Sequence, residues 1–162
     1  MIVEVSGEEL LAACVPVIRE AFASVADELR LTEASAPTNP AFMTLGRLRE
    51  AWRAGTRLFL LLDGAGAALG SVGLQQGRRP GLFYVERLAV LPAHRHHGHG
   101  RALMDHALEA ARVQGGAVIS IGIVDENVRL KRWYRAQGFV ETGTRRFPHL
   151  PFTVCYLEKP IA

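Results

Sequence analysis

The stretch LAVLPAHRHHGHGRAL, residues 88–103, joins a strand to a helix through a loop rich in histidine and glycine. The strand, GLFYVERLAV at 81–90, is apolar on both faces, which is typical of a central strand in a sheet. The helix runs from about Gly98 to Gln114 and carries one apolar stripe. Because the first amides of a helix lack intrahelical partners and form the positive end of its dipole, this junction predicts a phosphate-binding loop.

The four histidines of this loop also fit a metal-binding tract, or a loop that is simply solvated. Phosphate is a better interpretation than metal, because adjacent His96 and His97 point in different directions and no carboxylate or cysteine is nearby. Arg101 adds support, since a cation in the first helical turn opposes the dipole unless an anion binds there. No metal site is predicted, and the residues that favour the anion are Arg95, Gly98, Gly100 and Arg101.

Length and composition favour one globular domain spanning residues 1–162, with 49% hydrophobic and 22% charged residues. The longest apolar run, residues 58–62, is too short to cross a membrane, so no membrane partner is expected. The net charge of +3 comes from scattered arginines, which suits a small anion better than nucleic acid. The early glutamates do not resemble a signal peptide, which predicts a cytoplasmic protein. Cys14 and Cys155 are expected as buried free thiols, with a single bridge as the alternative.

The remaining elements alternate around the strand–loop–helix unit. A strand at 2–5 precedes a helix capped by Ser6 and kinked at Pro16, and a second helix ends at Gly55. A hairpin, the strand at 81–90, a helix, a strand, a helix and two strands follow. Since strand–helix–strand units favour parallel pairing, the order predicts an α/β fold with a mixed sheet.

A second informative stretch is NVRLKRWYRAQGF, residues 127–139. Asn127 and Tyr134 are two helical turns apart and share one helix face. With both stretches in this order, the sequence resembles the GNAT superfamily of acetyl-CoA-dependent N-acetyltransferases over about residues 56–143. The first stretch matches its Arg-x-x-Gly-x-Gly pattern at Arg95, Gly98 and Gly100, and the second matches Asn, Tyr and then Gly-Phe.

The resemblance implies a twisted, mostly antiparallel mixed sheet of six to seven strands, about four flanking helices and a splayed central parallel pair. It implies that acetyl-CoA is the cosubstrate and that the loop amides at 95–101 hold its diphosphate. The strand segment Leu88, Ala89 and Val90 would offer backbone groups to the pantetheine arm and the thioester carbonyl. Asn127 would contact the same arm, with Tyr134 close to the sulfur.

Tyr134 is the predicted general acid, because a phenol with a reference pKa of about 10 can protonate or hydrogen-bond a leaving thiolate. In isolation this residue would instead be interpreted as a core tyrosine. Glu86 is the predicted base, because a lone carboxylate among Tyr84, Leu88 and Val90 is costly unless it is used. The alternative for Glu86 is a cross-strand ion pair with an arginine.

The acceptor is predicted to be a small-molecule primary amine that attacks directly in a ternary complex. The resemblance implicates the loops at 32–42 and 145–152, and Arg145, Arg146 and His149 suit an amine that carries an anionic group. A protein or peptide acceptor and a non-catalytic CoA-binding module are the alternatives. A nucleic-acid partner is not expected because no aromatic platform interleaves the basic residues, and the chain is expected to be a monomer or homodimer.

Overall fold

The structure is a computed structural model that describes residues 1–161. Seven strands form one sheet in the order β1-β2-β3-β4-β5-β7-β6. The strands are β1 (Ile2–Glu4), β2 (Arg57–Leu62), β3 (Ala68–Gln76), β4 (Leu82–Val90), β5 (Val118–Val124), β6 (Val140–Arg146) and β7 (Thr153–Pro160). The helices are α1 (Glu8–Glu28), α2 (Leu45–Arg53), α3 (His99–Val113) and α4 (Val128–Ala136), with short 3₁₀ turns at Pro40–Phe42 and Pro92–His94.

The predicted mixed sheet is confirmed, with one parallel pair among the described strands. β4 and β5 run parallel, and the other neighbours pair antiparallel. The parallel contact is short, since Leu82–Tyr84 pairs with Val118–Ser120 and the two strands then part. The splayed central pair is therefore confirmed, and within residues 1–161 the backbone edge of β4 beyond Tyr84 has no strand partner on the β5 side.

Two hydrophobic layers cover the two faces of the sheet. One layer packs α3 and α4 on the sheet, and the predicted apolar stripe of α3 is buried there at Leu103, Met104, Ala107 and Ala111. The other layer packs α1 and α2 on Leu58, Leu60 and Ala89. Because side chains alternate along each strand, they point to one of two sides of the sheet, one covered by α1 and the other by α3.

A β-bulge interrupts β4 at the point where it leaves β5. Ser71 pairs with Ala89 and Gly73 with Glu86, so β4 spends one more residue than β3 over this interval. Arg87 takes up the irregularity with a φ of 51°, a left-handed conformation that is uncommon for a side chain of this size. Because a bulge shifts the alternation of side chains, the bulge changes which residues of β4 face α1.

The structure corrects or completes the expectations for the start and course of α1, for the two cysteines and for membrane crossing. α1 begins at Glu8 with Gly7 as its N-cap and no side-chain cap, so the predicted Ser6 cap is wrong, and the helix is unbroken at Pro16. Cys14 and Cys155 are buried and free. None of the helices within residues 1–161 has both the length and the apolar composition that a membrane crossing requires.

Gly70 tests the packing of α3 on the sheet. A Cβ at this position would lie 2.8 Å from Cδ1 of Leu103 and 2.9 Å from the Ala89 carbonyl oxygen. We expect Gly70→Ala to lower the free energy of unfolding by about 1–3 kcal/mol, the usual cost of overpacking a core. Gly64→Ala is the matched control, since nothing lies within 4 Å of its added methyl group. Urea unfolding measures both, and equal stabilities would contradict the packing described here.

Candidate active site

The loop between β4 and α3 presents a run of unpaired backbone N–H groups. Within residues 1–161, the amides of six consecutive residues, His96 to Arg101, donate to no protein acceptor. The first bond of α3 joins the Ala102 amide to the Gly98 carbonyl at 3.0 Å, and no side chain caps the helix. Left-handed φ angles of 66° at His96 and 81° at Gly98 turn the chain into this start. Successive amides in such turns form an anion-binding concavity.

The side chains of the loop divide into exposed and engaged groups. The guanidinium of Arg101 is 71% exposed, and its Nε lies 3.8 Å from Asp105. The Nδ1 atom of His97 is 3.3 Å from the His94 carbonyl oxygen. In the part of the chain that the structure describes, no three His, Cys, Asp or Glu side chains converge as a metal site. An anion at this loop would therefore meet mainly amides and the exposed guanidinium.

The side chain of Arg95 contacts two backbone carbonyl groups. Its Nη2 atom donates to the Ala21 carbonyl of α1 at 2.7 Å, and its Nε donates more weakly to the Val90 carbonyl at 3.4 Å. These bonds do not use all five N–H groups of the guanidinium, and its contact with a phosphate stays a prediction. The pattern identified the loop but could not reveal a partner 74 residues away.

Gly100 has a packing role that the sequence did not reveal. A Cβ there would lie 3.3 Å from Cζ2 of Trp133, so α4 crosses close to the start of α3. The two predicted motifs are therefore adjacent in space.

The side chains at the end of β4 point to alternate faces of the sheet. Leu88 and Val90 pack towards the α3 side and Ala89 packs towards α1, which leaves the backbone edge of β4 open between them.

Asn127 caps α4. Its Oδ1 accepts a hydrogen bond from the Leu130 amide at 3.2 Å, which explains why the helix begins at Val128. The Nδ2 group makes no hydrogen bond within residues 1–161 and can still donate to a ligand. The residue thus caps α4 through its Oδ1, and its contact with the pantetheine arm stays a prediction.

Tyr134 is the buried residue of α4, with 5% of its surface exposed. Its ring packs edge-on against Trp133 and Phe139, at centroid distances of 5.0 and 5.3 Å. Burial raises the pKa of its phenol well above the usual value, because the phenolate is poorly solvated there. The hydroxyl makes no hydrogen bond within residues 1–161 and is not fully enclosed, so it stays a protonated donor without a protein partner.

An ionic cluster around Lys131 holds α4 in place, and the sequence reading missed it. Lys131, with a side chain 16% exposed, pairs with Asp125 before the helix and lies 3.6 Å from Glu141 on β6. Arg135 donates to Glu141 at 2.9 Å and holds the pKa of that carboxyl below its usual range. A helix of nine residues is too short to be stable alone, so these contacts and Tyr134 fix its position.

Glu86 lies on the α1 side of the sheet. It is directly opposite Gly73, which is in turn opposite Leu58 of the α1 layer, and opposed residues share a face. The side chain is 30% exposed, so the expected burial is not observed, and its Oε2 lies 3.2 Å from Nη1 of Arg87. The partner is thus the next residue in the same strand, which the bulge allows, and not a cross-strand arginine.

The hairpin between β6 and β7 lies at the same end of the sheet as the carboxyl end of β5, since Val124 pairs with Val154. Arg145 stacks over the ring of Phe147 at 4.7 Å, and His149 approaches the same ring at 5.6 Å. None of Arg145, Arg146 and His149 has a carboxylate partner within residues 1–161. The three side chains are exposed at this end of the sheet.

Substitution of two glycines at opposite ends of α3 distinguishes an effect on folding from an effect on anion binding. Gly98 and Gly115 both have φ of 81° and open space around an added Cβ. We expect Gly98→Ala and Gly115→Ala each to cost about 1–2 kcal/mol of stability through left-handed strain. Only Gly98→Ala should also weaken the binding of coenzyme A, the ligand that the resemblance implies, by about tenfold or more, because it displaces the free amides. Calorimetric titration with equal losses of affinity in both variants would contradict this assignment.

The solved structures that are similar to this chain include several acetyltransferases. A nourseothricin acetyltransferase is 28% identical over 66% of this chain and 66% of that one, with a TM-score of 0.61. The ribosomal-protein-S18-alanine N-acetyltransferase of Escherichia coli has a TM-score of 0.74 at 18% identity, covering 100% of this chain and 95% of that one. An aminoglycoside 6'-N-acetyltransferase complexed with coenzyme A has a TM-score of 0.73 at 13% identity, covering 100% and 97%.

The sequence itself matches a family model. No curated protein sequence matches this one at a significant level. The model described as the Acetyltransferase (GNAT) family matches residues 24–139, which include β4, the amide-rich loop, α3, β5 and α4. Since this match covers well over half of the 162 residues, the chain belongs to the GNAT family of acetyltransferases, which are acyltransferase enzymes.

Proposed function

We propose that this protein transfers an acetyl group from acetyl-CoA to the primary amine of a small molecule, by direct attack in a ternary complex. The observation that carries the proposal is the run of unpaired amides from His96 to Arg101, beside a strand edge that has no partner. The amides fit a diphosphate and the open edge of β4 fits an extended amide-bearing arm. The diphosphate and the pantetheine arm of coenzyme A would therefore each find backbone groups to which they can hydrogen-bond.

The binding groups can be assigned on this basis. The amides of His96, His97, Gly98, His99, Gly100 and Arg101 hold the diphosphate, with the exposed guanidinium of Arg101 adding charge. The backbone of Leu88, Ala89 and Val90 pairs with the pantetheine arm, and Nδ2 of Asn127 donates to it. When bound, acetyl-CoA supplies an acetyl group activated as a thioester. A backbone amide near Leu88 then stabilises negative charge on the thioester oxygen.

Tyr134 is proposed as the general acid. Burial among Trp133 and Phe139 raises its pKa, so the phenol is neutral and can donate across the physiological pH range. In the described part of the chain the hydroxyl has no competing acceptor, and it donates a hydrogen bond or a proton to the departing sulfur. The Lys131 cluster keeps the helix that carries it in one position.

Glu86 is proposed as the base, acting directly or through a water molecule. It lies on the α1 side, opposite the α3 side where Tyr134 is buried, so an amine approaching from below α1 meets the carboxylate. The ion pair with Arg87 orients the carboxylate. A partly exposed carboxylate can accept a proton from the attacking amine and return it to solvent.

A small-molecule acceptor is favoured over a protein. Two of the similar enzymes are named for nourseothricin and for an aminoglycoside, and the first is the more similar in sequence. The exposed guanidinium groups of Arg145 and Arg146, with the imidazole of His149 close to them, suit an amine that also carries an anionic group. The likeness to a ribosomal-protein acetyltransferase keeps a protein N-terminus as the second candidate.

Substitution of the phenol tests the proposed enzyme. We expect a panel of small amines, amino acids and peptides to release free thiol from acetyl-CoA, with a small molecule as the best acceptor. Tyr134→Phe should lower kcat by about 10²–10⁴-fold, the range for loss of a general acid, with coenzyme A affinity unchanged. Binding of coenzyme A without thiol release on any amine would identify a non-catalytic module. An unchanged kcat would remove Tyr134 from the mechanism.

The role of Glu86 is tested by the pH dependence of the rate. A base must be ionised, so kcat/KM of the wild type should fall at acid pH as the carboxylate takes up a proton. Glu86→Gln should lower the rate and lose this acid limb. Glu109→Gln, an exposed carboxylate paired with Arg112 on α3, is the matched control and should keep the wild-type profile. An acid limb that persists in Glu86→Gln would leave only the ion-pair role.

A further inference from the structure

Arg95 connects two parts of the molecule that serve different substrates in the proposed reaction. Residues 94–101, here called the coenzyme loop, contain Arg95 immediately before the six free amides. Its guanidinium donates to the Ala21 carbonyl in the second half of α1 at 2.7 Å. α1 lies over the face of the sheet on which Glu86 is found. The side chain therefore links the loop to the helix above the acceptor side.

The link is a charge-assisted hydrogen bond in a partly buried setting. The guanidinium has no carboxylate partner within residues 1–161, so the carbonyl groups of Ala21 and Val90 satisfy it. A carbonyl within a helix has a second lone pair, which makes this bond compatible with the helix ladder. Val90 is the last residue of β4, so the same guanidinium fixes the strand end, the loop and α1 together.

We propose that Arg95 is a positioning residue that couples the coenzyme loop to α1, so that an anion bound on the loop amides orders the wall of the acceptor site. This inference rests on the proposed function, since it takes the loop as the diphosphate site. It assigns the arginine of the Arg-x-x-Gly-x-Gly pattern to the acceptor side, and the following amides with the Arg101 guanidinium to the diphosphate. The physical reason is that a rigid bidentate donor transmits a shift of the loop to the helix it holds.

Hydrogen–deuterium exchange with coenzyme A as the probe tests this coupling. In the wild type, saturating coenzyme A should slow exchange of the α1 amides at 22–28 by about fivefold or more, the lower end of typical coupling between sites. In Arg95→Gln this protection should fall below about twofold, although α3 stays protected by the bound coenzyme. Calorimetry should give a Kd for coenzyme A within about threefold of the wild-type value, because the amides are intact.

Two other arginines serve as controls. Arg101→Gln removes a charge from the same loop, and it should weaken coenzyme A binding but keep the protection of α1 at saturation. Arg132→Gln, on the exposed side of α4, should change neither quantity. The opposite pattern in Arg95→Gln, with a Kd raised more than about tenfold and α1 still protected, would overturn the proposal and place the side chain on the coenzyme.

The wild-type protein alone also decides the question, whether or not the variant folds. If coenzyme A binds and protects α3 but leaves α1 unchanged, the coupling is refuted while the proposed function stands. If the wild type binds no coenzyme A, the proposed function itself fails.

Discussion

The unpaired N–H groups at the start of α3 are the constraint on which the site depends. A buried backbone donor without an acceptor is costly, and folded proteins satisfy nearly all such groups with protein, water or ligand. Within residues 1–161, six successive donors at this turn have no protein acceptor, and three of them belong to the exposed residues His96, His97 and Gly98, where water or a ligand can reach them. The N-cap residue of α3 is Gly98, which has no side chain that could cap the helix. An anion with several oxygens is the ligand that completes such a loop.

The sheet places the other reactive groups around this loop. Because β4 and β5 part after Tyr84, one strand edge stays open next to the amides, and Glu86 faces α1 just before the bulge at Arg87. Tyr134 approaches from the opposite side, held by aromatic neighbours and by the Lys131 cluster. The proposed proton donor and the proposed proton acceptor thus lie on the two faces of one splayed sheet. This separation is what a transfer between two bound substrates needs.

Sequence reasoning recovered the features that local pattern determines. Apolar periodicity gave the central strand and the stripe of α3, and the glycines located the loop, because these signals lie within a few residues of each other. The contacts of Arg95 with Ala21 and of Lys131 with Glu141 could not be read in this way, since they depend on tertiary packing. No local sequence pattern indicates the bulge at Arg87, and the burial expected for Glu86 is not observed. The N-cap formed by Asn127 could have been predicted from the sequence, because asparagine before a helix is a common N-cap.

The most direct measurement of the central claim is the response of the loop amides to the coenzyme, followed by nuclear magnetic resonance of ¹⁵N-labelled protein. Coenzyme A should shift the amide resonances of residues 96–101 downfield together as it saturates, because each proton gains a hydrogen bond to phosphate. Pantetheine, which lacks the diphosphate, should leave them in place. Binding of coenzyme A with these resonances unmoved, or equal shifts with pantetheine, would contradict the account.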